Sequence, residues 1–129
     1  MQIAIIAPAS TQRSLDALLS ALLSLNLIFL QTNLGIPPLY RSGVRYRREN
    51  RVEGSEERWG TIPQCLDAGL GDCEELAAWR AAEMIWSGED PSARPEIYHV
   101  RPGLWHVRVR RGDGSLEDPS RILGMGGHP

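Results

Sequence analysis

The fold is decided by the stretch Gly69-Leu-Gly-Asp-Cys-Glu-Glu-Leu-Ala-Ala-Trp-Arg-Ala-Ala-Glu-Met-Ile-Trp86, in which a glycine-rich turn leads into an alanine-rich segment. Asp72 is a good N-cap, and Glu75 follows it at the spacing of a capping box. The alanines favour helix by intrinsic propensity, and Ser87-Gly88 supplies a stop signal. This stretch therefore predicts a helix over residues 73–86 whose first residue is Cys73.

Cys73 is the residue of this stretch that could carry chemistry. The unpaired N–H groups and the positive dipole end at a helix start favour a thiolate over a thiol, and they can also face a developing oxyanion. We therefore expect a reactive cysteine with a lowered pKa. The ordinary alternative is a buried, inert cysteine, and Cys65, which lies among apolar residues, is typical of that kind. Catalysis by Cys73 requires a base.

The sequence offers that base in a predicted β-hairpin. Residues 96–100 and 104–110 have the pattern of two strands, separated by the turn Arg101-Pro-Gly. His106 lies on the strand face opposite Trp105 and can accept a proton from a thiol. His99, in the neighbouring strand, is a weaker candidate because no carboxylate follows it at a convenient hairpin position.

A carboxylate that orients His106 is predicted from the next turn, Arg111-Gly-Asp-Gly. If Arg110 pairs with Gly114 across a three-residue loop, Asp118 lies opposite His106, with about 4.5–5.5 Å between their Cβ atoms. A two-residue loop would shift this pairing. The three-residue loop predicts a Cys–His–Asp constellation with the acid and base on one hairpin and the nucleophile at a helix start.

Three short motifs, in this order, resemble the transglutaminase-like branch of the papain-like cysteine enzymes: Gly71-Asp72-Cys73, Trp105-His106-Val107 and Glu117-Asp118-Pro119. The resemblance covers residues 57–124. It implies an α+β fold with a papain-like core, in which a nucleophile-bearing helix packs on a small antiparallel sheet. It also implies Cys73 as nucleophile, His106 as general base and acid, Asp118 as orienting carboxylate, and neither a cofactor nor a metal.

The resemblance further implies thioester chemistry on an amide bond. The oxyanion would be held by the Cys73 N–H and by one side chain, either Gln64, which is nearer in sequence, or Trp59. We expect hydrolysis of a peptide, isopeptide or side-chain amide bond, because 129 residues leave little material for an amine-binding channel. The alternatives are a protein cross-linking transamidase and a structural or assembly protein that keeps the fold without turnover.

A leucine-rich segment precedes this core. Leucines at positions 15, 18, 19, 22, 23 and 30 fall on one wide stripe, which predicts an amphipathic core helix over 15–31 after an N-terminal arm, 1–14. The apolar run is short and contains polar residues such as Asp16, so we expect neither a membrane span nor a signal peptide. Residues 125–129 are expected to form a flexible tail.

The chain also resembles, more narrowly, small transglutaminase-like proteins of tailed phages and prophages. The residues that carry this resemblance are the leucine-rich helix, Val44-Arg-Tyr-Arg-Arg-Glu and Ile122-Leu-Gly-Met. It implies a protein or peptide substrate, a virion or assembly partner, and a location in the host cytoplasm or in the virion.

Composition places these residues in one domain. A chain of 129 residues with 42% hydrophobic residues can bury its own core, and two cysteines fit a reducing compartment. The formal charge is −2, so neither nucleic acid nor a membrane is expected as a partner. A cluster of arginines near four glutamates is interpreted as a solvated face rather than a phosphate site; its members are Arg41, Arg45, Arg47, Arg48 and Arg51.

Overall fold

The computed structural model describes residues 4–7, 12–48 and 57–126, which form an α+β fold. The α-helices and strands are β1 (Ala4–Ala7), α1 (Gln12–Thr32), β2 (Arg45–Tyr46), β3 (Glu57–Gly60), α2 (Ile62–Ala68), β4 (Leu70–Gly71), α3 (Cys73–Ser87), β5 (Arg94–Arg101), β6 (Leu104–Arg110), β7 (Leu116–Glu117) and α4 (Pro119–Ile122), and a 3₁₀ helix spans Leu39–Arg41. Strands β5, β6 and β7 form an antiparallel sheet in that order, β1 pairs antiparallel with β3, and β2 pairs parallel with β4.

Helix α3 begins at Cys73, as predicted, because its first turn is capped twice. The Asp72 carboxylate accepts a hydrogen bond from the Cys73 N–H at 2.7 Å, and Glu75 accepts one from the Asp72 N–H at 2.9 Å. The helix ends where Gly88 takes a left-handed conformation, with φ of 83°, which glycine adopts without strain.

The core between α3 and the antiparallel sheet explains why the helix needs alanines. Ala77 and Ala81 form one buried cluster with Ile97, Val107 and Val109 of the sheet. Small side chains on the helix bring its backbone close to the sheet, and strand alternation directs the valines toward it. The α+β fold, with a helix beginning at Cys73 packed on an antiparallel sheet, is thus confirmed.

The N-terminal segment differs from the predicted arm. Helix α1 begins three residues earlier and ends one residue later than the predicted 15–31. Before it, β1 pairs with β3, from Ala4 opposite Gly60 to Ala7 opposite Glu57. The isoleucines of β1 favour an extended backbone. Part of the segment predicted to be an arm therefore belongs to a sheet.

Helix α1 packs its leucine stripe inward. Leu15, Leu19, Leu22 and Leu30 are buried, and the Asn26 side chain accepts a hydrogen bond from the Ile62 N–H at 2.9 Å. Among the described residues, one helix, spanning 13–32, is long and apolar enough to cross a membrane, with a mean hydropathy of 1.6. The buried core helix of a soluble protein meets the same criterion.

Truncating the centre of this stripe should destabilise the fold. Leu22 is completely buried, so Leu22→Ala removes apolar burial and leaves a cavity, and we expect a loss of about 2–5 kcal/mol in the free energy of unfolding. Leu34→Ala is the control, because Leu34 is 88% exposed and should change stability by less than about 0.5 kcal/mol. Chemical denaturation measures both, and equal midpoints would show that α1 does not contribute to the core.

The arginine-rich segment contains little regular structure. The alternation of Val44 and Tyr46 with arginines predicts a short strand over 43–48, but only Arg45 and Tyr46 lie in a strand, β2, which pairs with Leu70 and Gly71. Arg51 and the tail residues 127–129 lie outside the described residues.

Candidate active site

Buried His106 and partly buried Asp118 form a hydrogen-bonded pair at the edge of the sheet. His106 Nε2 lies 2.9 Å from one oxygen of Asp118 and 3.1 Å from the other. Burial alone would raise the pKa of Asp118, but the hydrogen bond and charge of His106, with help from Arg121, outweigh it and lower that pKa. Asp118 is therefore held as a carboxylate against the imidazole, as the sequence predicted.

The hairpin brings His106 and Asp118 together with a strand register that differs from the predicted one. The three-residue loop lies one residue later than predicted, between Arg111 and Ser115. The Arg111 N–H donates a hydrogen bond of 2.8 Å to the Ser115 carbonyl. Gly114 closes the loop in a left-handed conformation, with φ of 88°. The observed register pairs Val109 with Glu117, so the predicted cross-strand pairing of His106 with Asp118 is wrong.

Asp118 reaches His106 because β7 is short. The strand ends at Glu117, and Asp118 is the residue before Pro119, where α4 begins. The chain turns there, since proline fixes φ and favours the first turn of a helix. That turn brings the carboxylate back toward His106 Nε2 and leaves Nδ1 as the ring nitrogen available to a nucleophile.

The thiol of Cys73 is buried, and its ionisation is disfavoured. The side chain is 5% exposed and donates a hydrogen bond of 3.4 Å to Glu74. Burial raises the pKa of Cys73 well above its ordinary value, and the neighbouring carboxylates of Glu74 and Asp72 raise it further, whereas the N–H of Val107 acts in the opposite direction. The lowered pKa expected from the helix N-terminus is therefore wrong, because desolvation and two anions outweigh the dipole.

Cys73 lies against β6, next to the strand position of His106. Strand β7 pairs with β6 only at Val109 and Arg110, so the Val107 N–H is left to face the Cys73 sulfur. Within the described part of the chain, no hydrogen bond joins Cys73 to His106, because the thiol is directed to Glu74 instead. The thiol–imidazole hydrogen bond that the predicted constellation requires is thus not formed in this conformation.

Alkylation should report the raised pKa of this thiol directly. In a Cys65→Ser background, we expect iodoacetamide to react with Cys73 more slowly than with free cysteine at pH 7, since the reactive thiolate is scarce there. The rate should rise as the pH passes the ordinary cysteine value of 9.0.

The matched variant Glu74→Gln removes the carboxylate next to the sulfur. The pH midpoint of alkylation should then move down, because a neighbouring anion no longer opposes ionisation. A midpoint that is unchanged by Glu74→Gln would show that Glu74 does not control the thiol.

Asp72, Cys73 and Glu74 also place three metal-ligating atoms within 4.8 Å of one another. A thiolate and two carboxylates could hold a divalent cation. Here, however, Asp72 caps α3 and Glu74 accepts the thiol hydrogen bond. The helix cap and the thiol hydrogen bond therefore account for the proximity of the three side chains.

An ionic network fixes the segment that carries Asp118. The Glu117 carboxylate accepts hydrogen bonds from the Tyr40 hydroxyl at 2.5 Å and from Arg80 Nε at 2.6 Å, and it also binds Arg111. Arg80 lies seven residues after Cys73, which places both on one side of α3. The nucleophile helix is thereby tied to the residue before Asp118. This link was not predicted from the sequence, although the seven-residue spacing between Cys73 and Arg80 indicates that both lie on one side of the helix.

The two oxyanion candidates both lie near the start of α3. Gln64 accepts a hydrogen bond from the Thr61 N–H at 3.1 Å and caps α2. Trp59 is fully buried in the same core cluster as Cys73 and packs edge-on against Trp105, with 6.3 Å between ring centroids. Each thus has a capping or packing role, and an oxyanion role stays a prediction for both.

Three other aromatic side chains have predicted roles. His99, the weaker base candidate, is exposed and pairs with Trp105 across the strands. Trp79 and Trp86 are seven residues apart, a spacing that predicts one shared core face of α3. Trp79 is buried, but Trp86 is 48% exposed because it lies at the end of α3.

Comparison of the chain with family models, with curated proteins and with solved structures gives no match.

Proposed function

We propose that this protein is a papain-like cysteine enzyme of the transglutaminase-like type, which hydrolyses an amide bond through a thioester at Cys73. The proposal depends on the partly buried His106–Asp118 pair, at 2.9 Å, beside the strand residue Val107 whose N–H faces the Cys73 sulfur. A buried imidazole held through Nε2 by a carboxylate can exchange a proton through Nδ1. A purely structural core has no physical need of this pair.

The first half of the proposed reaction forms the thioester. His106 and the valines that pack against α3 lie on opposite faces of β6, so the thiol turns from Glu74 around the edge of β6 that β7 leaves unpaired, and His106 Nδ1 accepts its proton. The sulfur attacks the substrate carbonyl carbon, a C–S bond forms, and the oxyanion faces the Cys73 N–H at the start of α3. The C–N bond then breaks as His106 gives its proton to the leaving amine, and Asp118 stabilises the imidazolium in between.

The second half consumes water. His106 accepts a proton from a water molecule whose oxygen attacks the thioester carbonyl. A C–O bond forms, the C–S bond breaks, and the proton returns to the sulfur. The products are a carboxylic acid and an amine, and the enzyme is restored.

The raised pKa of Cys73 favours a second candidate function. A protein whose thiol stays neutral and hydrogen-bonded to Glu74 could keep this fold as a structural or assembly component without turnover. The phage resemblance supplies a setting for that role, in the host cytoplasm or in the virion.

One experiment separates these functions. The purified chain is incubated with a mixture of proteome-derived peptides and a labelled primary amine, and mass spectrometry identifies new chain ends and labelled glutamines. We expect new ends that are absent when Cys73→Ala replaces the native chain. Labelled amine without matching hydrolysis would identify a transamidase, and the absence of any Cys73-dependent product would identify the structural role.

A further inference from the structure

The sheet face that carries His106 also carries a cation, Arg108, that forms no ion pair with the residues whose side chains the structure describes. Arg108 follows His106 by two residues in β6, so both side chains rise from the same face. Its Nε is buried and has no hydrogen-bond acceptor among residues 13–48 and 59–126. A guanidinium in this position retains donors for an incoming group.

The carboxylate opposite Arg108 on this face is already occupied. Glu96 lies directly opposite Arg108 across the two strands. Both of its oxygens, however, accept hydrogen bonds from Arg110, at 2.5 Å from Nε and 2.7 Å from Nη2. This bidentate pair satisfies Arg110, since a fork–fork contact uses both carboxylate oxygens. Arg108 therefore acts on Glu96 through its charge alone, without a hydrogen bond.

An aromatic ring holds Arg108 in place instead. The Arg108 guanidinium lies 4.0 Å from the centre of the Tyr98 ring. Tyr98 is also the cross-strand neighbour of His106, and their rings meet edge-on at 5.7 Å between centroids. Stacking on an aromatic face orients a guanidinium without using its N–H donors. Arg108 is thus half-buried and fixed beside the imidazole, and the stacking leaves its guanidinium N–H groups available to a ligand.

We propose that Arg108 binds a carboxylate on the leaving-group side of the substrate. This inference rests on the proposed function, in which His106 protonates the leaving amine. Two positions along a strand span about 6.7 Å, a length that fits a carboxylate on the residue contributing the amine. The substrate class is accordingly an acidic amide: a peptide or isopeptide whose leaving residue carries a side-chain or terminal carboxylate.

Cleavage of a proteome-derived peptide mixture tests this specificity. In the native chain we expect Asp or Glu to be enriched as the first residue of the released fragments, or single C-terminal residues to be released, which distinguishes the two sources of the carboxylate. Arg108→Gln should reduce that preference on the order of 10- to 100-fold, because a charge-assisted bidentate contact is lost. Arg108→Glu should favour basic leaving residues.

The matched control is Arg94→Gln, which removes an exposed arginine at the far end of β5, opposite Arg110. It should leave the preference unchanged. Cys73-dependent cleavage without an acidic preference, or a preference that survives Arg108→Gln, overturns the assignment of Arg108 while the proposed function stands. Cleavage that does not depend on Cys73, or none at all, contradicts the proposed function instead.

A binding measurement decides the assignment even without turnover. N-acetylglutamate, added to the intact chain, should shift the Arg108 side-chain Nε–Hε signal in the NMR spectrum, whereas its diamide, which carries no carboxylate, should not. Arg108→Lys keeps the charge without the planar fork, and it should bind N-acetylglutamate more weakly than the native chain does. Equal responses to the two compounds would overturn the assignment.

Discussion

Cys73→Ala should abolish hydrolysis of the peptide mixture, with a loss of about 10⁵- to 10⁶-fold in rate. The proposed reaction passes through a C–S bond, and no other group can form it at this position. The fold should survive, because alanine keeps the backbone N–H that Asp72 caps at 2.7 Å and continues the alanine-rich surface of α3. Mass spectrometry of the released fragments measures the effect, and circular dichroism checks the fold.

The other cysteine provides the matched control. Cys65 is also buried, but it belongs to the second core cluster, with Ile62, Leu76 and Trp79. Cys65→Ala should therefore keep the activity and lose only the small packing contribution of one sulfur atom. Equal loss of activity in both variants would point to general destabilisation and remove the support for Cys73 as nucleophile.

The helix that carries Cys73 was predictable because its signals are local. Asp72, Glu75 and Gly88 act within a few residues of one another through capping hydrogen bonds and a left-handed glycine. The strands around the Arg101-Pro-Gly turn were predictable for the same reason. Local backbone chemistry of this kind depends little on the rest of the chain.

The ionisation state of Cys73 could not be predicted from the same local signals. The helix start indicates a thiolate, but the outcome depends on how deeply the side chain is buried and on which way Glu74 turns. Both depend on tertiary packing, since Glu74 in the first turn of a helix would ordinarily face water. The prediction failed where a long-range effect opposed a local one.

In the hairpin, the predicted contact between His106 and Asp118 is present although the predicted register is wrong. His106 and Asp118 were expected to meet as cross-strand neighbours, but the loop lies one residue later and β7 ends at Glu117. The turn before Pro119 and the hydrogen bond from Arg80 to Glu117 bring Asp118 to His106. Register depends on loop geometry at single-residue precision, which composition does not define.

Asp118→Asn should keep the fold and reduce the rate of hydrolysis by about 10⁴-fold. Asparagine has nearly the same shape and can still contact His106 Nε2, but it carries no charge to stabilise the imidazolium that forms when the thiol gives up its proton. It can also present its amide N–H₂ to Nε2, which would stabilise the wrong imidazole tautomer.

The pH dependence of stability provides an independent check on Asp118. Its folded-state pKa is lowered, so its contribution to stability is present above the ordinary value of 3.8 and is lost as the pH falls through the folded-state pKa. The native chain should accordingly be more stable than Asp118→Asn near pH 7, and the difference should shrink as the pH falls below 3.8. Denaturation at both pH values measures it. A variant that keeps full activity, while its stability follows this pattern, would show that Asp118 supports the fold alone and would leave His106 without an orienting acid.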